Sequence, residues 1–153
     1  MSHIIIDGYN CIGVIHKDLQ KARLDFINML IDYRQTKPHS ITVVFDGHKD
    51  GGYKETHIRQ GGIRIIYTPI GISADDTILR VISEERYHWL VVSDDKTISK
   101  GAWAMGMIAI PSSLFLKSIH RSLGDYEEED VYIDKRQKLS KQQRAIKRAL
   151  SHL

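Results

Sequence analysis

Six acidic residues of this sequence stand where an apolar run ends or a helical pattern begins. They are Asp7, Asp46, Asp75, Asp76, Asp94 and Asp95. Two carboxylates about 4 Å apart repel by roughly 4 kcal/mol at an effective dielectric constant near 20, so several of them together need a compensating charge. Oxygen ligands of this kind favour Mg²⁺ or Mn²⁺, which polarise a phosphoryl oxygen, activate a water and steady a leaving oxygen. These residue types therefore predict phosphoryl chemistry at a metal site, if the fold brings them together.

The elements that must position these acids are strands alternating with helices. Strands are predicted over 3–6, 41–45, 63–67, 89–92 and 107–110. Helices are predicted over 17–36, 73–86 and 112–122, and a short one over 53–60. Another helix should follow Ser93, which would be its N-cap, and a last one should lie near the C-terminus. This alternation predicts an α/β fold with three layers, α/β/α, and a central, mostly parallel five-stranded sheet. Parallel strands end at one edge of a sheet, so the acids should converge there.

The same acids also have a purely structural explanation. Those at predicted helix starts can complement the helix dipole, and those after strands can shape turns with the glycine that follows. For any single residue this explanation is the simpler one. Four segments that bring charge to the same edge add up to an electrostatic cost that only a site would justify, so we prefer the metal-site interpretation.

Length and composition are those of one globular domain. The 153 residues are 42% hydrophobic and 27% charged, and no apolar run approaches the roughly 20 residues of a membrane helix. The N-terminal residues lack the pattern of a secretory signal. The lone Cys11 cannot form an internal disulfide, which agrees with a reducing compartment. We therefore expect a cytoplasmic protein with no membrane partner.

Charge is distributed unevenly along the chain. Seven of the 22 Lys and Arg residues, and none of the 19 acids, lie from Lys135 onward. This tail has an apolar stripe typical of an amphipathic helix, and its charge suggests a polyanionic partner, although a solvated helix face is the commoner explanation of such a charge run. The acidic segment 124–134 before it is interpreted as a loop or linker without a catalytic role.

Other kinds of site find little support. The sequence contains no HExxH, no zinc-finger spacing, no GxxxxGK[ST] phosphate loop, no GxGxxG and no GxSxG. Cys11 beside the predicted site suits a small buried residue better than a nucleophile. Tyr9 could pack under the site or stack on a base.

The segments IIIDGYN, VVFDG, ISADDTI and VVSDD occur in this order within residues 3–123. In sequence and spacing they resemble the YacP-like NYN domain ribonucleases of the PIN nuclease superfamily. The resemblance implies a PIN-like fold, with residues 1–134 as the nuclease domain. Residues 135–153 match no family motif, and their assignment as a basic C-terminal helix or tail of the same domain rests on their charge. The resemblance also implies a divalent-metal-dependent endoribonuclease, which hydrolyses RNA in an acidic pocket that holds Mg²⁺ or Mn²⁺.

Matching the motifs residue by residue makes Asp7, Asn10, Asp75 and Asp94 the catalytic residues. Asn10 would orient Asp7 or the scissile phosphate, and a metal-activated water would attack the phosphodiester in line. Both later motifs carry doubled acids, so either member of each pair could serve. The candidate metal ligands are Asp7, Asp75, Asp76, Asp94, Asp95 and Asp46.

The expected partner is RNA, either mRNA or rRNA, with the ribosome as one setting in which such RNA is met. The basic and polar residues predicted to contact it are Lys54, His57, Arg59, Lys96, Lys100, Lys141, Arg144, Lys147 and Arg148. Each of them also suits an ordinary solvated surface.

Two other functions stay open at the level of sequence. The domain could bind RNA or a ribonucleoprotein through its tail without cutting it. An acid after a first strand also suits a phosphatase-like or receiver-like pocket, with Asp7 as the nucleophile. The RNA target, the number of metal ions, the preference for RNA over DNA and the oligomeric state are not encoded in these patterns.

Overall fold

A computed structural model describes residues 1–13, 18–47, 52–124 and 138–153 of the chain. Its elements, in chain order, are β1 (His3–Asp7), α1 (Gly8–Ile12), α2 (Leu19–Thr36), β2 (Ser40–Phe45), β3 (Thr56–Gln60), β4 (Ile63–Tyr67), α3 (Ala74–Glu84), β5 (Trp89–Val92), α4 (Lys96–Ala104), β6 (Ile108–Ile110), α5 (Ser112–Ser122) and α6 (Lys141–Ser151). The predicted loop over 124–134 lies, apart from Gly124, outside the described residues.

The strands form one sheet in the order β3-β4-β2-β1-β5-β6. β1 pairs in parallel with β2 and β5, and the pairs β2–β4 and β5–β6 are parallel as well. Helices cover both faces of this sheet, so the predicted three-layer α/β fold is confirmed. The carboxyl ends of the five parallel strands define what we call the carboxyl edge, and their starts define the amino edge.

The sheet has six strands rather than the predicted five. The segment predicted as a short helix over 53–60 contains β3, which pairs antiparallel with β4. Gly61 and Gly62, with φ of 56° and 82°, form the tight turn between the two strands. The prediction was wrong because the polar residues of β3 are all exposed and show no buried face, whereas the pairing partner lies beyond the glycine pair.

Two apolar cores lie on opposite faces of the sheet. Ile4 and Ile6 of β1 face the core that contains the buried side chains of α2 and α5. Ile5 faces the other core, which contains those of α3 and α4. Because side chains alternate along a strand, Asp7 lies on the same face as Ile5, toward the start of α3.

The helix boundaries follow their capping residues. Ser73 caps α3, because its Oγ accepts the N–H of Asp76 at 3.2 Å. Ser93 does not cap α4, contrary to the prediction. Asp95 does so instead, since its Oδ1 accepts the N–H groups of Thr97 and Ile98 at 2.8 and 3.1 Å. The residues directly after β1 form the short helix α1.

The C-terminal helix α6 packs against β6 and α5. Ser140 and Gln143 form a reciprocal capping box at its start. Ile146, Ala149 and Leu150 join the core on the α2 side, and Leu153 beyond the helix is buried. The predicted amphipathic helix is therefore present. Within the described ranges, no helix is long and apolar enough to cross a membrane.

Candidate active site

Asp7 ends β1 at the carboxyl edge and is only 8% exposed. Ser93, which follows the neighbouring strand β5, donates its hydroxyl to Asp7 Oδ2 at 3.1 Å. Ser93 Oγ also accepts the N–H of Asp95 at 3.0 Å. One hydroxyl thus connects the end of the central strand to the acidic turn before α4.

Two further acids act on Asp7. Burial, followed by the charges of Asp75 and Asp95, raises the pKa of Asp7 from 3.8 to about 6, although the Ser93 hydrogen bond works in the opposite direction. Asp75 lies in the first turn of α3, and Asp95 caps α4. We call Asp7, Asp75 and Asp95 the acid cluster.

Asp75 is the point at which the predicted acids meet. Burial raises the pKa of its carboxyl, and the charges of Asp95, Asp76 and Asp46 raise it further. Asp46 follows β2, and Asp76 is exposed beside Asp75 in α3. Three strand ends and one helix start therefore do bring acids to one place, as the sequence predicted.

Asp94 is placed differently from Asp95. Its Oδ1 accepts the N–H of Ser112 at the start of α5 at 3.0 Å, and its own N–H donates to Asn10 Oδ1 at 2.9 Å. Asn10 Oδ1 also accepts the Ser112 hydroxyl at 2.8 Å. The charge of Asp94 raises the pKa of Cys11. Asp94 and Asn10 thus hold the turn after β5 against α1 and the start of α5.

Glycine at position 8 allows α1 to start directly after Asp7. A Cβ atom there would lie 2.4 Å from Cε1 of Phe45, which is fully buried at the end of β2. Tyr9 packs its ring on Phe45, with centroids 5.0 Å apart. The tetrapeptide DGYN therefore supplies an acid, a close approach, an aromatic contact and an amide that joins two other segments.

Cys11 is buried behind the site. Burial raises the pKa of its thiol to about 12, with smaller contributions from the charges of Asp7 and Asp94. A thiol that stays protonated at neutral pH is a poor nucleophile. The structure therefore supports the packing interpretation of Cys11.

The acid cluster offers carboxylate oxygens, the donor type that a hard divalent cation prefers. The two charged groups that act on Asp7 are both acids, so their repulsion calls for a cation among oxygen ligands. Among the described residues, no three Asp, Glu, His or Cys side chains are close enough to form a ready-made metal cage. The spacing of the acids is thus wider than that of a completed coordination shell.

The basic residues predicted to contact RNA are divided among several surfaces. Lys54 lines a cavity beside Asp46, and Lys96 lies in the first turn of α4 at the carboxyl edge. Lys100 is exposed further along α4. On β3, His57 pairs with Glu55 at 2.7 Å, and Arg59 lies opposite Arg64, away from the carboxyl edge.

The basic side chains of α6 are exposed at a different part of the fold. They are Lys141, Arg144, Lys147 and Arg148. Arg148 lines a groove with Ser2, His88 and Gly106, which lie at the amino edge. The C-terminal half of α6 is therefore on the side of the sheet opposite the acid cluster.

Three site residues escaped the sequence analysis. Ser93 was assigned to a helix cap, and Ser112 carried no signal beyond its place after a proline. Arg23 is one of several bases on α2, but its Nη1 donates to the Tyr9 hydroxyl at 3.0 Å. Of the three, Ser93 was the easiest to find from the sequence. It follows a strand that ends beside Asp7, so its hydroxyl lies within reach of the Asp7 carboxylate.

A mostly parallel α/β/α sheet with an acid at the end of its central strand and further acids at the same edge defines a PIN-like domain. The YacP-like NYN domain family matches residues 4–153, and the chain belongs to that family. This confirms the resemblance indicated by the sequence motifs. No curated protein matches the chain.

Solved structures show the same fold. One is the crystal structure of a point mutant of Rae1 (YacP) from Bacillus subtilis, whose sequence is 19% identical to this chain. The TM-score is 0.66, and the match covers 81% of this chain and 78% of that one. A second crystal structure of Rae1 (YacP) is 21% identical, with a TM-score of 0.64 over 81% and 76%.

Proposed function

We propose that this protein is a divalent-metal-dependent endoribonuclease, whose substrate is RNA and whose compartment is the cytoplasm. The observation that supports it most is the buried carboxylate of Asp7, set against Asp75 and Asp95 at the carboxyl edge of a YacP-like NYN domain. A buried acid whose charged neighbours are both acids is costly for the fold and suits a cation site.

Asp7, Asp75 and Asp95 would hold Mg²⁺ or Mn²⁺. The bound cation supplies positive charge that polarises a phosphoryl oxygen and activates a water. Ser93 fixes the orientation of Asp7 through its hydroxyl. Asp46 and Asp76 add negative charge around Asp75 and offer further oxygen ligands or acceptors for a water proton.

Asp94 and Asn10 have a positioning role in this proposal. Their hydrogen bonds fix the turn that carries Asp95 and the start of α5. Lys54 and Lys96 are the predicted phosphate contacts closest to the acids, because they lie at the carboxyl edge. A polyanion could thereby approach the acid cluster despite its charge.

The proposal is tested by incubating the protein with an unstructured RNA in Mn²⁺, in Mg²⁺ and in EDTA. We expect internal cleavage with either metal and none in EDTA. Because the attacking oxygen would come from water, an RNA with a 2′-deoxy nucleotide at the cut site should still be cleaved. The proposal is wrong if no divalent metal supports cleavage, or if cutting requires that 2′-hydroxyl as its nucleophile.

A further inference from the structure

A cavity of about 260 Å³ lies at the carboxyl ends of β2 and β4, on the α2 side of the sheet. Tyr9, Arg23 and Tyr67 line it, and Asp46 and Lys54 stand at its border. We call it the Tyr9–Tyr67 pocket. Its volume is below the roughly 300–1,000 Å³ usual for drug-sized ligands, so it suits a single ring system.

The guanidinium of Arg23 is held in place against aromatic rings. Its Cζ lies 5.5 Å from the ring centroid of Tyr67 and 6.0 Å from that of Phe45. Its Nη1 donates to the Tyr9 hydroxyl at 3.0 Å. These contacts fix a planar cation at the wall of the pocket before any ligand arrives, which lowers the entropy cost of binding.

The aromatic wall is equally ordered. Phe45 packs against Tyr9 at 5.0 Å and stacks on Tyr67 at 5.7 Å, with an angle of 23° between the latter rings. Thr68 closes the end of β4, where its Oγ1 accepts the N–H of Gly47 at 3.0 Å. Tyr9 and Tyr67 are therefore held in place as an aromatic wall by the fully buried ring of Phe45.

Tyr9 and Asp46 connect the pocket to the acids at the carboxyl edge. Tyr9 is two residues from Asp7, and Asp46, at the pocket's border, acts electrostatically on Asp75. Unpaired bases stack on aromatic side chains and on arginine planes, and their edges bond to hydroxyl and charged groups. Lys54 at the pocket's border offers a cation to a phosphate attached to such a base.

We propose that the Tyr9–Tyr67 pocket binds the base of a nucleotide next to the scissile phosphate of single-stranded RNA, and that Arg23 and Tyr67 set the base preference there. This inference rests on the proposed function for the position of the phosphate. The stacking itself requires no metal and no cleavage.

Binding is therefore measured first in EDTA at low salt, with a short fluorescent single-stranded RNA and a set of copies carrying one abasic nucleotide each. We expect one abasic position to weaken binding to the wild type about tenfold. Arg23→Met should bind intact and abasic RNA alike at that position. Lys21→Met is the matched control, because Lys21 is an exposed cation on the same helix.

Arg23→Lys separates stacking from simple charge, since lysine keeps the charge and loses the planar group. If the base stacks on the guanidinium plane, RNA binding by Arg23→Lys should also become insensitive to the abasic position. A wild type that ignores every abasic position or binds no RNA, or an Arg23→Lys variant that behaves as the wild type, overturns the inference.

The cut sites of a randomised RNA then distinguish this inference from the proposed function. We expect a base preference at one position beside the cut, which Arg23→Met abolishes and Lys21→Met retains. Abasic sensitivity without any metal-dependent cleavage would refute the nuclease and leave the pocket standing. Cleavage whose base preference is the same in Arg23→Met would refute the pocket and leave the nuclease.

Discussion

The Ser93 hydroxyl donates to Oδ2 of Asp7 at 3.1 Å, although the two residues are 86 positions apart in the chain. This bond is the direct link between the end of the central strand and the turn that carries Asp94 and Asp95. The Ser93 hydroxyl also stabilises the Asp7 carboxylate against burial and two nearby acids, as does a hydrogen bond from the backbone of Asn10. Keeping Asp7 charged therefore lowers the free energy of unfolding.

Replacing Asp7 with Asn should make the protein more stable at neutral pH. A rise in the Asp7 pKa from 3.8 to about 6 corresponds to about 3 kcal/mol against the charged, folded state. The stabilisation that comes from protonated Asp7 is fully present below pH 3.8 and is lost as the pH rises through about 6. Asp7→Asn should remove that loss, as measured by denaturant unfolding between pH 4 and 7.5. Asp32→Asn, an exposed acid on α2, is the control, and equal pH profiles for Asp7→Asn and wild type would refute the prediction.

Divalent metal should stabilise the wild type and fail to stabilise a variant of the acid cluster. At a hundred times its dissociation constant, Mn²⁺ should add about 2.7 kcal/mol, or roughly 5 to 10 °C in melting temperature. Asp75→Asn should lose most of this rise, because Asp75 interacts electrostatically with both Asp7 and Asp95. Thermal melts with and without Mn²⁺ measure it, with Asp32→Asn again as the control. The same rise in Asp75→Asn as in the wild type would argue against the site.

Asp94 and Asp95, the doubled acids after β5, should differ in how much their substitution by Asn weakens metal binding. Asn at position 95 can still cap α4, and Asn at 94 can still accept the N–H of Ser112, so each change removes charge with little loss of structure. We expect Asp95→Asn to weaken Mn²⁺ binding about tenfold or more and Asp94→Asn to weaken it less than about threefold. Metal titrations followed by calorimetry give both values. The reverse order would make Asp94 the ligand, as the family motif implies.

Gly8→Ala should destabilise the fold by about 1 to 3 kcal/mol, because the new methyl group would overlap the buried ring of Phe45. The displaced ring should also disturb Tyr9 and reduce activity. Gly52→Ala is the matched control, since the position of its Cβ has no atom within 4 Å among the described residues. Urea unfolding of the two variants measures the difference, and equal stability would show that Phe45 can move aside without cost.

The sequence predicted the parallel strands of the sheet well because they follow from local patterns. β-branched runs ended in acids, and parallel topology alone brought Asp7, Asp46, Asp75 and Asp95 to one edge. It could not separate Asp94 from Asp95, since that difference depends on where α5 begins in space. β3 was missed because its partner strand, not its own composition, makes it a strand. Arg23 was missed because the rings it lies over come from β2 and β4.

The most direct test of the central claim is the single-turnover rate of RNA cleavage in Mn²⁺ by wild type, Asp7→Asn and Asp75→Asn. Loss of an outer partner of a metal site commonly costs 10- to 100-fold, so loss of a ligand should cost at least about 100-fold. We predict that both variants lose at least this much while they remain folded, and that Asp32→Asn cleaves at the wild-type rate. A folded Asp7→Asn variant that cuts RNA as fast as the wild type would contradict the account.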